Sequence, residues 1–495
     1  MAEKKSGISS YMIHSIIGLA IIAIFWIIPP IAPITEVGMR CVGTFIGVVY
    51  LWSMVDVLWP SVLCLLLFAI SGYGGAGAAG FKAVFLNAIG ADTVLISILG
   101  MILFGAMHEV GCTMYIARWF LTKSIFKGRP YTFLTVWFVC CGVLSALVGP
   151  IVGLIIVWSI ALGVMNTLDI KREDKVWPFF FVGTFLALTL MQPFFPFKGA
   201  QLVPISAFEN MMATAGNAVK VPYLPYMITA TVMFILIMGV FLLAMKFILR
   251  VDMGKLKGID PEMIRVQIQL PPMNFQQKAF LFMMVGYLAM ILIPGFVKGN
   301  PICDFLNMIS TLGVTVFWIV LFTAIRWNGK PLLEFQKVAA TQMNWGIFFM
   351  IAAAVYGAGS LSNKSTGVSD FLVQTLNPIL GGQPEIVFVA LMLLVALIIT
   401  NFANNAAMAV VLMPVVIGFS NQIGIHPMPV AMGVTLMVFV AMLTPSASPH
   451  ASMMHGKKDI YTTKEILMIG LPMCTVCWAL YVVVGYPLMK LMLGV

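Results

Sequence analysis

Charge is scarce in this sequence. Only 9% of its 495 residues are Asp, Glu, Lys or Arg. A soluble chain of this length needs far more charged surface, so a soluble enzyme or binding domain is excluded. Histidine occurs five times and cysteine eight times, without the spacing of a metal site. Cys140-Cys141 and the formal pair Cys474 and Cys477 lie in apolar runs and read as small residues on helix faces. There is no Walker A sequence, Rossmann fingerprint or HExxH. Aromatic residues are not interleaved with basic ones, so nucleic acid is not an expected partner. The short alternating segments of a membrane barrel are missing too.

What is present is apolar. Hydrophobic residues make up 61% of the chain and mean hydropathy is +1.03. These values predict an all-α polytopic membrane protein with the lipid bilayer as its surroundings. The formal charge of +10 first reports orientation in such a protein. Basic loops near Lys127, Lys257, Arg326 and Lys458, with Lys4 and Lys5 at the start, are read as cytoplasmic. That places the N-terminus inside a cell membrane, with a retained first span from about Met12 to Ile31. A count of eleven full crossings, with re-entrant segments excluded, places the C-terminus outside.

One stretch organises the rest. Thr400-Asn401-Phe402-Ala403-Asn404-Asn405 interrupts an apolar run that begins near Ile386 and resumes to Ile417. Unpaired amides in hydrocarbon cost several kcal/mol each, on the order of the desolvation penalty, so these side chains must face protein, water or a ligand. The run suits a re-entrant helical hairpin over about 384–420, bent at the asparagines; a polar patch joining two ordinary helices is the plainer alternative. A second interrupted run, about 131–166, has Ser145 and Gly149-Pro150 near its middle and reads as another hairpin or as one kinked helix. Each run precedes a helix broken by prolines, at Gln192–Gly199 and at Thr444–Ser452. The order predicts two halves, 1–250 and 277–495, joined by a cytoplasmic linker at 251–276. The basic loops make them an inverted repeat, with the hairpins entering from opposite sides.

Other local expectations follow. Asp92 should cap the helix that begins at Thr93. Pro204–Pro222 and Asp370–Glu385 read as irregular or loop segments, and Met428–Leu443 as a continuous helix. His108-Glu109 offers an acid-base pair, although Glu109 is expected near the basic loop at Lys123–Arg129.

These motifs resemble the divalent-anion sodium symporters, which include dicarboxylate and citrate carriers. The resemblance runs from about Thr93 to Leu493. That family has a Ser-Asn-Thr turn at each hairpin tip. Here Asn404-Asn405-Ala406 takes those positions in the second hairpin, with Asn405 on the family's asparagine and Pro414 on the proline that closes the returning half. Thr444–Gly456 looks like the family's later motif, with His450 where asparagine is usual. In the first hairpin Gly149-Pro150-Ile151 takes the turn positions, so the polar side chains are replaced.

The resemblance implies a homodimer whose transport part, Tyr131–Thr189 and Asn344–His450, carries substrate across by alternating access. It implies a small organic anion, foremost a dicarboxylate, near Gly149, Pro150, Asn404, Asn405, Ser448, Pro449 and His450. Lys198 is a further contact for the anion or a residue snorkelling to the interface. A coupling sodium ion, the only cofactor-like species expected, would lie near Asn401, Asn405 and Ala447. Proton coupling and gradient-free exchange or facilitation remain open alternatives. So does an integral membrane enzyme using His108, Glu109 or His450.

Overall fold

The computed structural model describes residues 10–297 and 299–495. Lys4 and Lys5, used above for orientation, lie outside them. The described chain is a bundle of helices with one two-residue strand pair, Arg326–Trp327 with Lys330–Pro331. Among the described residues, eleven helices are long and apolar enough to cross a membrane. Three of these are Pro130–Val148, Pro150–Thr167 and Asn405–Gln422, all within the expected hairpins. The eleven are therefore not the same set as the eleven crossings counted from sequence.

Lipid-facing surface is evident on Ser10–Ile27, where Ile16, Ile24 and Ile27 are exposed. Phe282 and Val285 of Phe275–Leu292, and Met308 and Val320 of Pro301–Ala324, are exposed in the same way. Apolar side chains gain nothing by leaving lipid for one another, so close fit has to hold the interior together. Helix Trp345–Ser362 illustrates it. The Gly357-Ala358-Gly359 stretch stays helical, and a Cβ on Gly359 would lie 2.4 Å from Asn210 Oδ1 of the facing helix Leu202–Thr214.

Two runs of elements follow one order. The first is Asp92–Glu109, Cys112–Leu121, the helix pair Pro130–Val148 and Pro150–Thr167, the broken pair Val176–Met191 and Leu202–Thr214, then Tyr223–Leu243. The second is Trp345–Ser362, Val368–Leu380, the pair Glu385–Thr400 and Asn405–Gln422, the broken pair Pro427–Met437 and Pro449–Gly456, then Thr463–Leu480. Each run's last long helix continues into one π-helical turn, Ala244–Ile248 and Tyr481–Gly485.

The packing exchanges partners between runs. Leu202–Thr214 rests on Trp345–Ser362 and Asn405–Gln422, while Pro449–Gly456 rests on Pro150–Thr167. Indole N–H groups add stitches: Trp158 donates to Tyr461 Oη (2.9 Å) and Trp177 to the Ile460 carbonyl (2.9 Å).

Four local expectations need correction. Pro204–Pro222 is not irregular at its start, because Leu202–Thr214 is a helix enclosed by protein. Enclosure lets it carry Glu209, which accepts from Lys220 (3.0 Å) and from the Val221 N–H (2.8 Å). Asp370–Glu385 is largely occupied by the helix Val368–Leu380, whose polar residues suggested a loop; it turns through 110° into Glu385–Thr400. The helix expected over Met428–Leu443 stops at Met437, where backbone groups leave the helical ladder to bond the second hairpin. Asp92 does not cap its helix: Ala91 holds the cap position and Asp92 lies in the first turn.

Candidate functional site

The second hairpin is closed at both ends. At its base, Phe388 and Phe419 lie with ring centroids 6.3 Å apart, so the two arms return to the same level. At its tip, Thr400 ends the first arm and Asn404 caps the second, its side chain accepting from the Ala407 N–H at 3.2 Å. Asparagine suits that position because its oxygen satisfies one of the donors a helix start leaves unpaired. The second arm runs through Pro414 to Gln422, so that proline lies inside the arm rather than closing it.

Asn401 is 2% exposed and fastens the tip to the broken helix. Its Oδ1 accepts from the backbone N–H groups of Met442 (3.0 Å) and Leu443 (2.8 Å). Its Nδ2 donates to the Leu397 carbonyl at 2.8 Å and to Val440 O at 3.5 Å. The Thr444 hydroxyl donates to the Asn401 carbonyl, and the Thr400 hydroxyl to the Val438 carbonyl. The unwound segment between Met437 and Ser448 thus exchanges its lost helical bonds for bonds to the tip.

Asn405 is placed differently. Its Oδ1 is 3.1 Å from the Thr400 hydroxyl, while its Nδ2 has no partner among the described residues. Ser448 caps the helix that starts at Pro449, accepting from Ala451 N–H at 3.1 Å. The same hydroxyl lies 3.1 Å from His450 Nε2, and the buried His450 ring stacks on Phe185 at 5.4 Å. Ala447 is fully buried, its N–H on the Thr444 carbonyl at 3.3 Å.

The first hairpin turns on one residue. Gly149 has φ +85° and ψ 163°, a region open essentially to glycine, and Pro150 starts the second arm with its φ preset. The arms meet closely, since a Cβ on Gly153 would lie 3.6 Å from the Ser145 backbone nitrogen. The Ser145 hydroxyl donates to the Leu188 carbonyl at 2.6 Å and so faces a neighbouring helix, not the turn. Lys198, from the first break, donates to the carbonyl of Ala146 (3.2 Å) and to that of Leu147, and sits 4.8 Å over the Phe104 ring. It is bound to the tip carbonyls. Three buried side-chain oxygens around this break have no partner among the described residues: Thr189 Oγ1, Gln192 Oε1 and Ser206 Oγ.

The structure therefore groups Asn401, Asn405 and the segment leading to Ala447 around the second tip, and Gly149, Pro150 and Lys198 around the first. Ser448, Pro449 and His450 begin the later half-helix, which packs against the second arm of the first hairpin. Glu109 pairs with Lys337 at 2.8 Å and accepts from Gln342 at 3.1 Å, not with the loop Lys123–Arg129 as expected from sequence. Sequence reasoning missed Thr400 and Thr444 as junction residues, although both border the polar stretches. It had no signal for Ser53, whose hydroxyl accepts from the Asn404 N–H at 3.3 Å across 351 positions.

Two hairpins, each fastened to a broken helix inside an apolar bundle, define a polytopic protein with irregular backbone enclosed by protein. A profile of the citrate transporter family matches residues 47–437, and the chain belongs to that family. Mouse solute carrier family 13 member 2 is 26% identical over 202 residues, 36% of this chain and 34% of that protein. The rat Na(+)/citrate cotransporter is 28% identical over 119 residues, 24% and 20% of the two chains. Human Na(+)/dicarboxylate cotransporter 3 is 24% identical over 229 residues, 42% and 37%. The chain thus spans about a third or less of the first two relatives' length and 37% of the third.

Among solved structures, the YdaH transporter of Alcanivorax borkumensis superposes with TM-score 0.56 at 16% identity, over 88% of this chain and 96% of that one. That likeness concerns the fold. The family and these relatives are transporters, and the membrane-enzyme alternative falls with them.

Proposed function

We propose that this protein is a secondary transporter of small organic anions, foremost dicarboxylates, that works by elevator-like alternating access and is coupled to sodium. One observation carries the reading. In the second run, buried amides and hydroxyls join a hairpin tip to a broken helix where two helices start, at Asn405 and Pro449. Helix starts present unpaired N–H groups and partial positive charge, so they receive an anion without a cationic side chain. The Asn405 Nδ2 is the side-chain donor left over for a carboxylate. The family match and the relatives' names support citrate and dicarboxylates as the solutes to try first.

Sodium prefers oxygen ligands, and hydroxyl, amide and carbonyl oxygens gather at Thr400, Asn401, Asn405 and Thr444, with the Ala447 N–H on the Thr444 carbonyl. Asn401 would contribute its main-chain carbonyl, because its side-chain oxygen already serves Met442 and Leu443. The repeated element order supports a division at 1–250 and 277–495, with the two hairpins entering a cell membrane from opposite faces. The N-terminus would be cytoplasmic and the C-terminus outside, in a homodimer held by helices outside the hairpins and broken helices.

The test is uptake of labelled succinate and citrate into proteoliposomes, with a sodium or a proton gradient imposed alone. Uptake driven by sodium and lost in Asn405→Ala supports the proposal. Uptake driven only by protons, or equal exchange with neither gradient, removes sodium coupling. Transport of neutral or cationic solutes alone removes the anion assignment.

A further inference from the structure

The two tips close in the same way with different chemistry. Each broken helix sends one side chain to the adjoining tip from a position seven residues past the last residue of its preceding half-helix: Lys198 after Met191, and Thr444 after Met437. Thr444 gives a hydroxyl to the Asn401 carbonyl, and Lys198 gives an ammonium to the Ala146 and Leu147 carbonyls. The first arm ends at Val148, and its last carbonyls have no partner within the helix. The Gly149 N–H takes only the Ser145 carbonyl (2.8 Å), and Pro150 has no N–H to offer. These carbonyls carry the negative end of the helix dipole, a setting that draws a cation.

The lysine fills that setting. Its contacts are two carbonyl oxygens on one side and the face of Phe104 at 4.8 Å on the other, with no Asp or Glu paired to it among the described residues. Carbonyl oxygens and an aromatic face are what a small monovalent cation stripped of water receives. We propose that the Lys198 ammonium is a resident cation of the first hairpin tip, standing in a carbonyl site that would otherwise take a free monovalent cation. The proposal extends the cation arrangement inferred above by leaving only the second tip open to an exchangeable ion. It follows that the first tip needs no polar side chains at Gly149-Pro150-Ile151, because the cation arrives tethered.

The experiment is a thermal-stability titration of the full-length protein in detergent with methylammonium, ammonium, sodium and choline chlorides. The wild type should not respond to methylammonium, ammonium or choline, and a response to sodium reports the second tip. K198A should melt lower and regain stability as methylammonium or ammonium increases, by mass action, while choline is too large to help. A K198A protein as stable as wild type, or one that neither methylammonium nor ammonium restores, overturns the proposal. So does a wild type that methylammonium stabilises equally, since the amine would then act elsewhere.

Should K198A not fold, two further variants decide. K198R keeps the charge and should retain wild-type stability, and neutral K198Q should lose it. A stable K198Q, or an unstable K198R, overturns the proposal. No anion enters this readout, so an error in the solute assignment does not alter its outcome, and failure here leaves the anion-uptake test intact.

Discussion

Asn401→Ala should unfold the junction between the second hairpin and its broken helix. The amide oxygen serves two main-chain donors, Met442 N–H at 3.0 Å and Leu443 N–H at 2.8 Å, and the residue is 2% exposed. Alanine leaves both donors in place without an acceptor. Each buried orphan donor costs about 1–3 kcal/mol, which gives about 2–6 kcal/mol for the pair. Water entering the space of the lost amide offsets part of this, so about 2–4 kcal/mol is the expected loss. Asn405→Ala is the control. Its side-chain oxygen accepts one hydrogen bond, from the Thr400 hydroxyl at 3.1 Å, so about 1 kcal/mol is at stake. The two variants should therefore separate. Asn401→Ala lowers the melting temperature and shortens the active half-life, whereas Asn405→Ala keeps most stability and loses solute binding. Size-exclusion profiles after graded heating measure the first, and solute-induced stabilisation the second. If Asn401→Ala melts with the wild type, the junction does not depend on that amide and the reasoning fails.

Gly149→Ala should cost about 1–3 kcal/mol from backbone strain alone, because among the described residues nothing beyond the chain neighbours lies within 4 Å of the added Cβ while φ is +85°; a melting temperature equal to wild type would show that the turn relaxes. Gly359→Leu should separate Trp345–Ser362 from Leu202–Thr214, since even its Cβ falls 2.4 Å from Asn210 Oδ1, and lower the yield of monodisperse protein; normal yield would contradict the close packing. The segment before Phe275 docks through Lys127–Asp260 (2.7 Å) and Lys255–Asp174 (2.7 Å). The hydrogen bond from Lys127, then the Glu262 N–H, holds the Asp260 carboxyl below its ordinary range. A depressed folded-state value makes this docking complete above the unfolded carboxylate value of about 3.9, and it is lost as pH falls through the lower folded value. Asp260→Asn should mimic that loss at neutral pH and speed protease cleavage between residues 251 and 274; unchanged cleavage would show that the ion pair does not hold the segment.

Much of the architecture was legible because the sequence concentrates polar residues where backbone leaves the helix. Asn401, Asn404 and Asn405 stood out against an apolar run, and they are the residues that close the second tip. Pro449 and Ser448 stood out as part of a helix broken by prolines, but not as the start and cap of its second half. Hydropathy was blind in two directions. It extended a helix to Leu443, because Val438–Leu443 are apolar although their backbone groups bond Asn401 and Thr400. It dissolved the helix Leu202–Thr214, because Glu209 and Asn210 look costly until Lys220 and the Val221 N–H are seen beside Glu209. Lys198 was legible as an oddity but not as a cap. Its partners are main-chain carbonyls about 50 residues earlier, and carbonyls leave no trace in side-chain identity.

The exchange of partners between the two runs bears on how the chain is made. Leu202–Thr214 emerges from the ribosome with its broken backbone, yet the surfaces that enclose it, Trp345–Ser362 and Asn405–Gln422, are synthesised well over a hundred residues later. The nascent first run must therefore sit in the bilayer with its polar break uncovered, vulnerable to quality-control proteases until the second run arrives. Cut the gene within 251–274, and each piece alone should be degraded while the two expressed together survive, each serving as the other's chaperone.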